Sequence, residues 1–399
     1  MHRRRGSRLP WVSPQLNRDK TVGEVANAKI VHMTSVHDLF DTRIFHRECS
    51  ALRTAGYDLV LIAPHAHDEE IAGISVRAVP RAANRIMRIL HTVPLVFYRA
   101  WRERAALYHF HDPELIPIGL LLKAAGKRVI YDVHEDLKSQ ILTKPWIWPP
   151  LAGIVARLSR AMERLGERSF DGLVAATPQI MDIFPSARSV TVQNFPDPTE
   201  LGPGGSLPYA ERPPQVAYVG SLTQVRGIVE MVSAMANLPP AVPAELVLAG
   251  RFAPLGLERS VRQEPGWQRV RYLGWCARAQ VAEILGAARV GLVVLHPVPN
   301  YLDAYPVKLF EYMAAGIPVV ASDFPLWRRI VTEAGCGMLV DPREPRQIAE
   351  AIAWLLGNPE RAAQMGEAGR EAVLSRFNWD SEGRKLLRFY HTLLADDNG

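Results

Sequence analysis

Short apolar runs alternate with amphipathic segments along almost the whole chain, and this alternation constrains the fold more than any other feature. Runs such as 59–63 and 290–295 are apolar at consecutive positions, so both faces of each strand should be buried. Strands of this kind are typical of a parallel sheet with helices on both sides. We predict strands at 29–34, 59–63, 74–79, 107–110, 128–133 and 172–176, and again at 215–219, 245–249, 269–273, 290–295, 317–321 and 337–340.

The two series of strands predict an α/β protein with two doubly wound, Rossmann-like domains. Proline and glycine accumulate at 196–214, where neither a helix nor a central strand would tolerate them, so this segment is the predicted linker. The domains are placed at 29–195 and 215–378, after a flexible tail at 1–28 and before a last helix at 379–399 that should pack back on the N-terminal domain. We expect the two domains to face a central cleft, where open α/β sheets bind ligands.

Composition and cysteine usage exclude several classes of protein. Of the 399 residues, 48% are hydrophobic and 22% are charged, which excludes a disordered or collagen-like chain. The apolar runs fall short of the roughly 18 residues that a membrane-spanning helix needs. The basic first residues lack the apolar region of a secretory signal. Cys49, Cys276 and Cys336 form no C-x-x-C pair and predict neither a disulfide framework nor a zinc site, so we expect a cytoplasmic protein.

The formal charge of +6 lies entirely in the first half of the chain, since residues 201–399 hold as many acidic as basic residues. Residues 81–104 interleave arginines with apolar residues, the pattern of a basic amphipathic helix, which Pro94 would kink. Docking on an anionic membrane surface and an ordinary surface helix with solvated arginines fit this pattern equally well. The tryptophans and arginines of 144–168 also suit a membrane interface, with core packing of Trp146 as the alternative. Nucleic-acid binding is not expected, because no such motif accompanies the charge.

The most informative segment is residues 303–323. A helix that begins near Val307, after Pro306, would present its first free amides as an anion site. Lys308 adds a full positive charge beside those amides. Glu311 lies one turn further on, where its carboxylate could accept hydrogen bonds from sugar hydroxyls. A capped surface helix with a solvated lysine and glutamate is the alternative.

This segment resembles the retaining glycosyltransferases of the GT-B fold in family four, the group 1 glycosyl transferases. Asp303 and Glu311 have the spacing of that family's two acidic residues, and residues 313–322 are similar to its A-x-G-x-P-V-V-A-S tail. The resemblance implies that Glu311 binds the ribose of a nucleotide sugar and that Asp303 faces the transferred sugar. This chain has aspartate where the family commonly has glutamate, and Ala-Tyr-Pro in place of a glycine-rich loop.

Two further segments extend the resemblance over nearly the whole chain. Residues 219–227 resemble the family's first strand and loop of the second domain, in which glycines let the backbone approach a diphosphate and a basic residue, here Arg226, pairs with it. Ser221 stands where many relatives have an arginine. In the first domain, residues 131–136 resemble the strand end whose histidine, here His134, meets the donor sugar.

Polar residues at the strand ends of the first domain are candidates for the acceptor side. Glu135 and Asp136 belong to the strand end just described, and His111 follows the neighbouring strand. Asp41 and Arg43 lie in a D-T-R-I-F segment similar to one in bacterial cell-wall and exopolysaccharide glycosyltransferases. These two could contact acceptor hydroxyls or phosphate, and an internal salt bridge that caps a helix is equally compatible with their positions.

The motifs and the resemblance together predict the site residues. His134, Asp303, Arg226 and Lys308 are the predicted catalytic residues. No metal or other cofactor is expected, because the D-x-D motif of the other major glycosyltransferase fold is absent and cationic side chains with helix amides would meet the leaving-group charge. The predicted donor-binding residues are Gly220, Ser221, Arg226, Gly227, Gly250, Gly274, Tyr305, Val307, Lys308, Leu309 and Glu311.

We therefore expect a metal-independent glycosyltransferase that moves a sugar, with retention, from a UDP or GDP sugar to a hydroxyl of a bacterial envelope glycan, glycolipid or lipid-linked acceptor. The resemblance assigns the acceptor to the N-terminal domain and the nucleotide sugar to the C-terminal domain. Peripheral contact with the inner face of the plasma membrane is an open option. Two alternatives also stay open, a sugar-nucleotide epimerase of the same two-lobed fold and a noncatalytic partner in a glycan assembly complex.

Overall fold

The computed structural model describes residues 27–134, 149–184, 188–201 and 207–395. It divides into two compact units, one formed by Met1–Asn194 with Asp380–Gly399 and the other by Phe195–Trp379. Residues 380–395 thus belong to the first unit. The described part of 196–214 belongs to the second unit, where Arg212 donates a hydrogen bond of 3.1 Å to the carbonyl of Ala288.

The first unit is built on an eight-stranded sheet. Its strands are β1 (Lys29–Met33), β2 (Asp58–Pro64), β3 (Glu69–Ile71), β4 (Ile74–Val79), β5 (Leu107–Phe110), β6 (Arg128–Val133), β7 (Gly172–Ala175) and β8 (Ser189–Thr191). The order across the sheet is β3-β4-β2-β1-β5-β6-β7-β8, and only the edge pair β3 and β4 is antiparallel. Because β1, β5 and β6 are adjacent and parallel, the residues that follow them share one edge of the sheet.

Helices of the first unit pack on this sheet. A π-helix, Thr42–Cys49, continues directly into α1, and α3 and α4 pack against the strands through Val96, Ala100, Ile118 and Leu122. The α-helices of this unit are α1 (Ser50–Thr54), α2 (Arg85–Met87), α3 (Val93–Glu103), α4 (Ile116–Ala124), α5 (Pro149–Ser169) and α6 (Pro178–Ile183), with the C-terminal helix Trp379–Ala395 returning to it.

The second unit is built on a six-stranded parallel sheet. Its strands are β9 (Gln215–Val219), β10 (Glu245–Ala249), β11 (Val270–Gly274), β12 (Val290–Val293), β13 (Val319–Ser322) and β14 (Gly337–Val340), in the order β11-β10-β9-β12-β13-β14. Alternate residues of β9 enter two different hydrophobic clusters, Ala217 on one side and Val216 and Tyr218 on the other. Both faces of the sheet are therefore buried, which is why its strands are apolar at consecutive positions.

The helices of the second unit connect these strands and form its C-terminal part. They are α7 (Ile228–Asn237), α8 (Leu257–Val261), α9 (Arg278–Ala287), α10 (Pro299–Leu302), α11 (Val307–Ala314), α12 (Pro325–Ala334), α13 (Pro345–Gly357) and α14 (Pro359–Ser375), and α15 is the returning helix Trp379–Ala395. In the described part of the chain, no helix is long and apolar enough to cross a membrane.

The predicted strands are confirmed, with ends that differ by at most two residues. β13 begins at Val319 rather than at 317 because Pro318 has no amide hydrogen to give to a ladder. The sequence did not predict β3 or β8, which are three-residue edge strands without an apolar run. Within 81–104 the chain winds as a π-helix over Arg88–Thr92 and continues directly into α3, so Pro94 lies just after a change in helical hydrogen bonding rather than within a regular α-helix.

Close packing of α14 behind α11 depends on Gly366. A Cβ at this position would lie 2.3 Å from the carbonyl oxygen of Gly316, so we expect Gly366→Ala to lower the free energy of unfolding by about 1–3 kcal/mol. Gly357 is the control, because a Cβ there has no neighbour within 4 Å and alanine should be neutral or stabilising. Urea unfolding followed by tryptophan fluorescence measures both variants. Equal midpoints for the two variants would contradict the close approach.

Candidate functional site

Three strands of the second unit end in glycines that let the backbone segments come close together. Gly220 follows β9, Gly250 follows β10, and Gly274 ends β11. The Gly220 amide donates to the Ala249 carbonyl at 2.8 Å, and the Gly250 amide donates to the Gly274 carbonyl at 2.6 Å. Gly250 has a φ of +155° and a Cβ there would lie 1.8 Å from the Gly220 oxygen, so only glycine fits. At the carboxyl edge of the sheet, these three glycines therefore leave the backbone uncovered by side chains.

Two cationic side chains, Lys308 and Arg226, converge beside Gly220. A Cβ built on Gly220 would lie 3.3 Å from Lys308 Nζ and 3.6 Å from Arg226 Nη1. The Lys308 ammonium donates to the Tyr218 hydroxyl at 2.9 Å. Burial alone would lower the pKa of Arg226, but the nearby hydroxyls of Tyr301 and Tyr218 raise it. Within the residues that the structure describes, the hydrogen-bond partner of Lys308 is a phenol, and neither cation forms a salt bridge.

This arrangement disfavours the protonated, charged form of Lys308. Burial and the positive charge of Arg226 lower the pKa of Lys308 to about 7. Burial also raises the pKa of Tyr218 to about 12, so its hydroxyl stays neutral and cannot compensate the ammonium. An anion bound between Lys308 and Arg226 would favour the protonated lysine. The electrostatics of this position therefore suit a negatively charged ligand.

The start of α11 adds backbone donors to the two cations. The helix begins at Val307, after Pro306, and no side chain caps it. Within the described residues, the amides of Val307 and Lys308 therefore have no hydrogen-bond partner and carry partial positive charge. Further along, the buried Tyr312 hydroxyl accepts a hydrogen bond of 3.0 Å from the Val219 amide. This bond ties α11 to the end of β9 and so positions Lys308.

Glu311, on the same helix, is held by an arginine that sequence reasoning missed. The Arg278 Nη1 lies 2.5 Å from Glu311 Oε1, and its Nη2 donates to Glu200 at 2.9 Å. Burial alone would lower the pKa of Arg278, but the two carboxylates outweigh it and raise the pKa. Arg278 therefore orients Glu311. Glu311 follows Arg278 by 33 positions, and no motif in the sequence links them.

In the first unit, His134 follows β6 and is held by Asp132. His134 Nε2 lies 2.9 Å from Asp132 Oδ2. Arg43 donates to both oxygens of the same carboxylate at 2.9 Å, and His111 Nδ1 lies 3.1 Å from it. Asp132 is fully buried while His134 is partly exposed. The carboxylate thus holds the one ring of this cluster that reaches the surface.

Some described residues have the types and spacing of metal ligands. Within each group the ligand atoms lie within 4.8 Å of one another. The groups are His32, Glu48, His109 and His111; His65, His67 and Glu69; and His111, Asp132 and His134. The independence from metal and cofactors expected from the sequence stays a prediction.

Comparison with protein families matches both halves of the chain. The model for glycosyl transferases of group 1 matches residues 206–372, and the model for the glycosyl transferase 4-like domain matches residues 42–192. The chain belongs to the group 1 glycosyl transferases. It is therefore a glycosyltransferase, which confirms the family resemblance seen in its motifs.

Relatives and solved structures support the same family and fold. The chain is 24% identical over 365 residues to the phosphatidyl-myo-inositol mannosyltransferase of Mycobacterium leprae, covering 86% of this chain and 90% of the relative. Sucrose-phosphate synthase from Thermosynechococcus elongatus matches with a TM-score of 0.74 at 19% identity, over 93% of this chain and all of that one. HepE of Anabaena, solved with UDP-glucose, matches with a TM-score of 0.68 at 15% identity, over 92% of this chain and all of that one. Both have the GT-B fold that the sequence predicts.

The remaining predicted donor residues of the glycosyltransferase differ in what they can offer a ligand. Ser221 and Asp303 are exposed, and Val307 is half-buried at the start of α11. Leu309 is fully buried and its amide donates to the Pro306 carbonyl at 2.9 Å, so helix packing accounts for this residue. Its side chain is therefore part of the core, and the donor contact predicted for Leu309 stays a prediction.

Gly227 and Tyr305 support the two backbone segments that carry the site residues. Gly227 has a φ of +74°, and a Cβ there would lie 2.1 Å from the Val294 carbonyl oxygen. This glycine therefore permits the turn that carries Arg226 into α7. The Tyr305 ring stacks on Phe310, with 6.3 Å between ring centroids. It is half-buried and supports the loop before α11.

Two acceptor-side predictions need correction. Arg43 and His111 are 4% and 2% exposed, because both are bound to the buried Asp132. For Arg43, the internal salt bridge is the alternative that the structure shows. The carboxylate of Asp41 accepts hydrogen bonds from the amides of Arg43 and Ile44, so it caps the helix that follows. The other two acceptor-side candidates, Glu135 and Asp136, lie outside the described residues.

The effect of Arg226 on Lys308 can be measured directly. We expect Arg226→Gln to raise the pKa of Lys308, because it removes the nearby positive charge while burial remains. The titration can be followed by carbon-13 NMR after reductive methylation of lysines, with the Lys308 signal assigned from Lys308→Met. Arg361→Gln, on the exposed surface of α14, is the matched control and should leave the pKa unchanged. An unchanged pKa in Arg226→Gln would show that the two cations do not interact.

Proposed function

We propose that this glycosyltransferase moves a sugar, with retention, from a nucleoside diphosphate sugar to a hydroxyl of a bacterial envelope glycan, glycolipid or lipid-linked acceptor. The convergence of Lys308 and Arg226 beside Gly220 carries the proposal. A diphosphate supplies the negative charge that this position lacks. The glycine backbone lets it come close, and the free amides at the start of α11 can donate hydrogen bonds to its oxygens. The UDP-glucose bound to HepE and the lipid mannosyltransferase among the relatives support this class of substrates.

The chemistry proposed for the site is stabilisation of a leaving group. When the bond between the sugar C1 and the β-phosphate oxygen breaks, negative charge develops on that phosphate. Lys308, Arg226 and the first amides of α11 would stabilise this charge without a divalent ion. The acceptor hydroxyl attacks from the face that the phosphate leaves, and its proton passes to the departing phosphate oxygen. No covalent enzyme intermediate is required, and the configuration at C1 is retained.

Glu311 is assigned to the ribose hydroxyls on the family resemblance. Its carboxylate is already oriented by Arg278, which leaves oxygen lone pairs for a ligand. Glu200 accepts from the other nitrogens of the same guanidinium and fixes its plane. His134 is assigned to a hydroxyl of the donor sugar, also on the family resemblance.

We place the reaction in the cytoplasm, with peripheral membrane contact through the helical segment that contains α2 and α3. Its large apolar side chains are unusually exposed, with Ile86 at 69% and Leu90 at 62%. Several of its arginines already have carboxylate partners in the protein. These pairs are Arg81 with Asp38, Arg88 with Glu114, and Arg99 with Asp68. Apolar insertion rather than bulk positive charge would therefore drive the contact.

The deciding experiment is incubation of the purified protein with UDP and GDP sugars, with and without glycan or lipid-linked acceptors. Free nucleoside diphosphate that appears only with an acceptor, together with a glycosylated product, supports transfer. An epimerised nucleotide sugar formed without acceptor supports the epimerase alternative. Absence of nucleotide-sugar binding in calorimetry supports the noncatalytic partner. Lys308→Met should abolish the acceptor-dependent release.

The titration of Lys308 predicts a pH-dependent donor affinity. The anion binds best to the protonated lysine, whose pKa in the free protein is about 7. Affinity for a nucleotide sugar should therefore fall as the pH rises through that value, by up to about tenfold per pH unit. Nucleotide sugars suit this test because their diphosphate is a diester that does not titrate in this range. Calorimetry across the range gives the dissociation constants.

Two substitutions of Lys308 distinguish the effect of its positive charge from the effect of its deprotonation with rising pH. Lys308→Arg stays protonated and should remove the pH dependence, while Lys308→Met should bind weakly at every pH. Lys123→Arg, which conserves a surface ion pair with Asp171 in the first unit, is the control and should keep the wild-type slope. A wild-type affinity that does not change with pH would contradict the role of Lys308.

The assignment of Glu311 predicts selectivity for ribose. We expect Glu311→Gln to weaken binding of a ribonucleoside diphosphate by about tenfold and binding of its 2′,3′-dideoxy analogue much less, because only the first loses a charge-assisted hydrogen bond. Glu333→Gln, on the exposed end of α12, is the control. Equal losses for both nucleotides would place Glu311 away from the ribose.

A further inference from the structure

A continuous chain of hydrogen bonds crosses the interior of the first unit and ends at His134. The Tyr390 hydroxyl of α15 lies 3.0 Å from His32 Nε2, and His32 Nδ1 lies 3.0 Å from His111 Nε2. His111 Nδ1 lies 3.1 Å from Asp132 Oδ2, and the same oxygen lies 2.9 Å from His134 Nε2. Every member except His134 is almost completely buried. Each imidazole in the chain must therefore adopt a definite tautomer.

Asp132 determines which atom is the donor in each of these hydrogen bonds. Burial alone would raise the pKa of Asp132, but the Arg43 guanidinium and the hydrogen bonds from His111 and His134 hold it well below its usual value, so the group is a carboxylate that only accepts hydrogen bonds. Burial lowers the pKa of His111 and of His32, so both rings are neutral and each donates through one nitrogen only. His111 must then donate through Nδ1 to Asp132 and accept at Nε2.

The remaining bonds follow in the same direction. His32 donates through Nδ1 to His111 and accepts at Nε2 from the Tyr390 hydroxyl, which burial keeps protonated by raising its pKa. The Tyr390 oxygen can in turn accept from His109 Nδ1 at 2.5 Å. One assignment of the histidine tautomers thus satisfies all of these hydrogen bonds. In this assignment Asp132 carries no proton and only accepts hydrogen bonds. The carboxylate must receive a hydrogen from His134 as well.

We propose that Asp132 is a positioning residue that fixes neutral His134 with its proton on Nε2, so that Nδ1 faces outward as a hydrogen-bond acceptor for a hydroxyl of the donor sugar. The inference rests on the proposed function for the identity of that hydroxyl. Arg43 holds the carboxylate through two parallel hydrogen bonds, and the chain from Tyr390 to His111 prevents the carboxylate from turning away. The histidine then meets its substrate in one tautomer and one ring orientation.

A metal ion bound by His32, Glu48, His109 and His111 is the competing explanation of this cluster. Zinc at its ordinary bond length to histidine would separate the ligand nitrogens by about 3.3 Å and would leave no hydrogen between them. The nitrogens of His32 and His111 are instead 3.0 Å apart, and Tyr390 occupies a nitrogen of both His32 and His109. The hydrogen-bonded arrangement accounts for these contacts without an ion.

Nitrogen-15 NMR of the intact protein, labelled in histidine, tests the tautomer. The His134 signals are assigned by their loss in His134→Gln. At a pH where the ring is neutral, we expect the Nε2 shift of a protonated nitrogen and the Nδ1 shift of an unprotonated one. A proton on Nδ1, or a fast average of both tautomers, overturns the proposal. A stoichiometric metal that elemental analysis also finds in a His65→Gln variant, and that is therefore not held by His65, His67 and Glu69, overturns it too, because the ion would replace the bond between His32 and His111.

Asp132→Asn tests the consequence for catalysis. We expect kcat to fall by about tenfold to a hundredfold, with the His134 tautomer no longer fixed, while the dissociation constant for a nucleoside diphosphate stays unchanged. Asp171→Asn is the matched control, since Asp171 is another carboxylate of this sheet, bonded to Lys123 and to the Val129 amide. It should leave the tautomer and kcat unchanged.

These readouts separate the inference from the function on which it rests. If Asp132→Asn fails to fold, the wild-type spectrum still decides the tautomer. If Asp132→Asn folds and keeps the wild-type kcat, the positioning role is wrong even where the tautomer is as expected. If the wild-type protein transfers no sugar, the proposed function fails, and the NMR result alone decides the assignment of the buried chain.

Discussion

Repulsion between Lys308 and Arg226 is the constraint on which the second unit's site depends. Burial and the charge of Arg226, which lies beside the same glycine, disfavour the protonated form of Lys308, and the hydrogen-bond partner of Lys308 is the neutral phenol of Tyr218. The fold keeps them together through contacts behind the site, such as the bond from Val219 to Tyr312. A protein that needed only stability at this position would place a carboxylate there. In the proposed function, the diphosphate of the substrate brings the missing negative charge.

The first unit handles buried charge in the opposite way. Asp132 is as deeply buried as any residue that the structure describes, and an arginine and two histidines donate hydrogen bonds to its oxygens. Its charge is met within the protein, which explains why Arg43 is an internal residue rather than an acceptor contact. The two units thus use charged side chains for different purposes. One leaves a positive site uncompensated for an anion, and the other uses a compensated negative charge to hold a histidine.

The sequence predicted what local patterns determine. Apolar runs located the strands because both faces of each sheet are buried. Pro306 located the start of α11 because proline suits the N-terminal end of a helix and not its interior. The convergence of Lys308 and Arg226 followed from the family motif rather than from spacing. The three-residue strands β3 and β8 were missed because their pairing at a sheet edge leaves no apolar run.

Contacts between distant parts of the chain could not be predicted. Nothing near Arg278 in the sequence shows that it reaches Glu311, and nothing near His32 shows that Tyr390, on the last helix, bonds to it. The number of residues between such partners is set by the loops and helices that separate them. The chemistry of Arg43 was likewise ambiguous in the sequence, since the same arginine can serve a ligand or a buried carboxylate.

A crystal structure with a bound nucleoside diphosphate is the most direct test of the central claim. The diphosphate is predicted to lie over Gly220, with oxygens within hydrogen-bonding distance of both Lys308 Nζ and the Arg226 guanidinium. A diphosphate bound elsewhere on the chain, with Lys308 still bonded only to Tyr218, would contradict it.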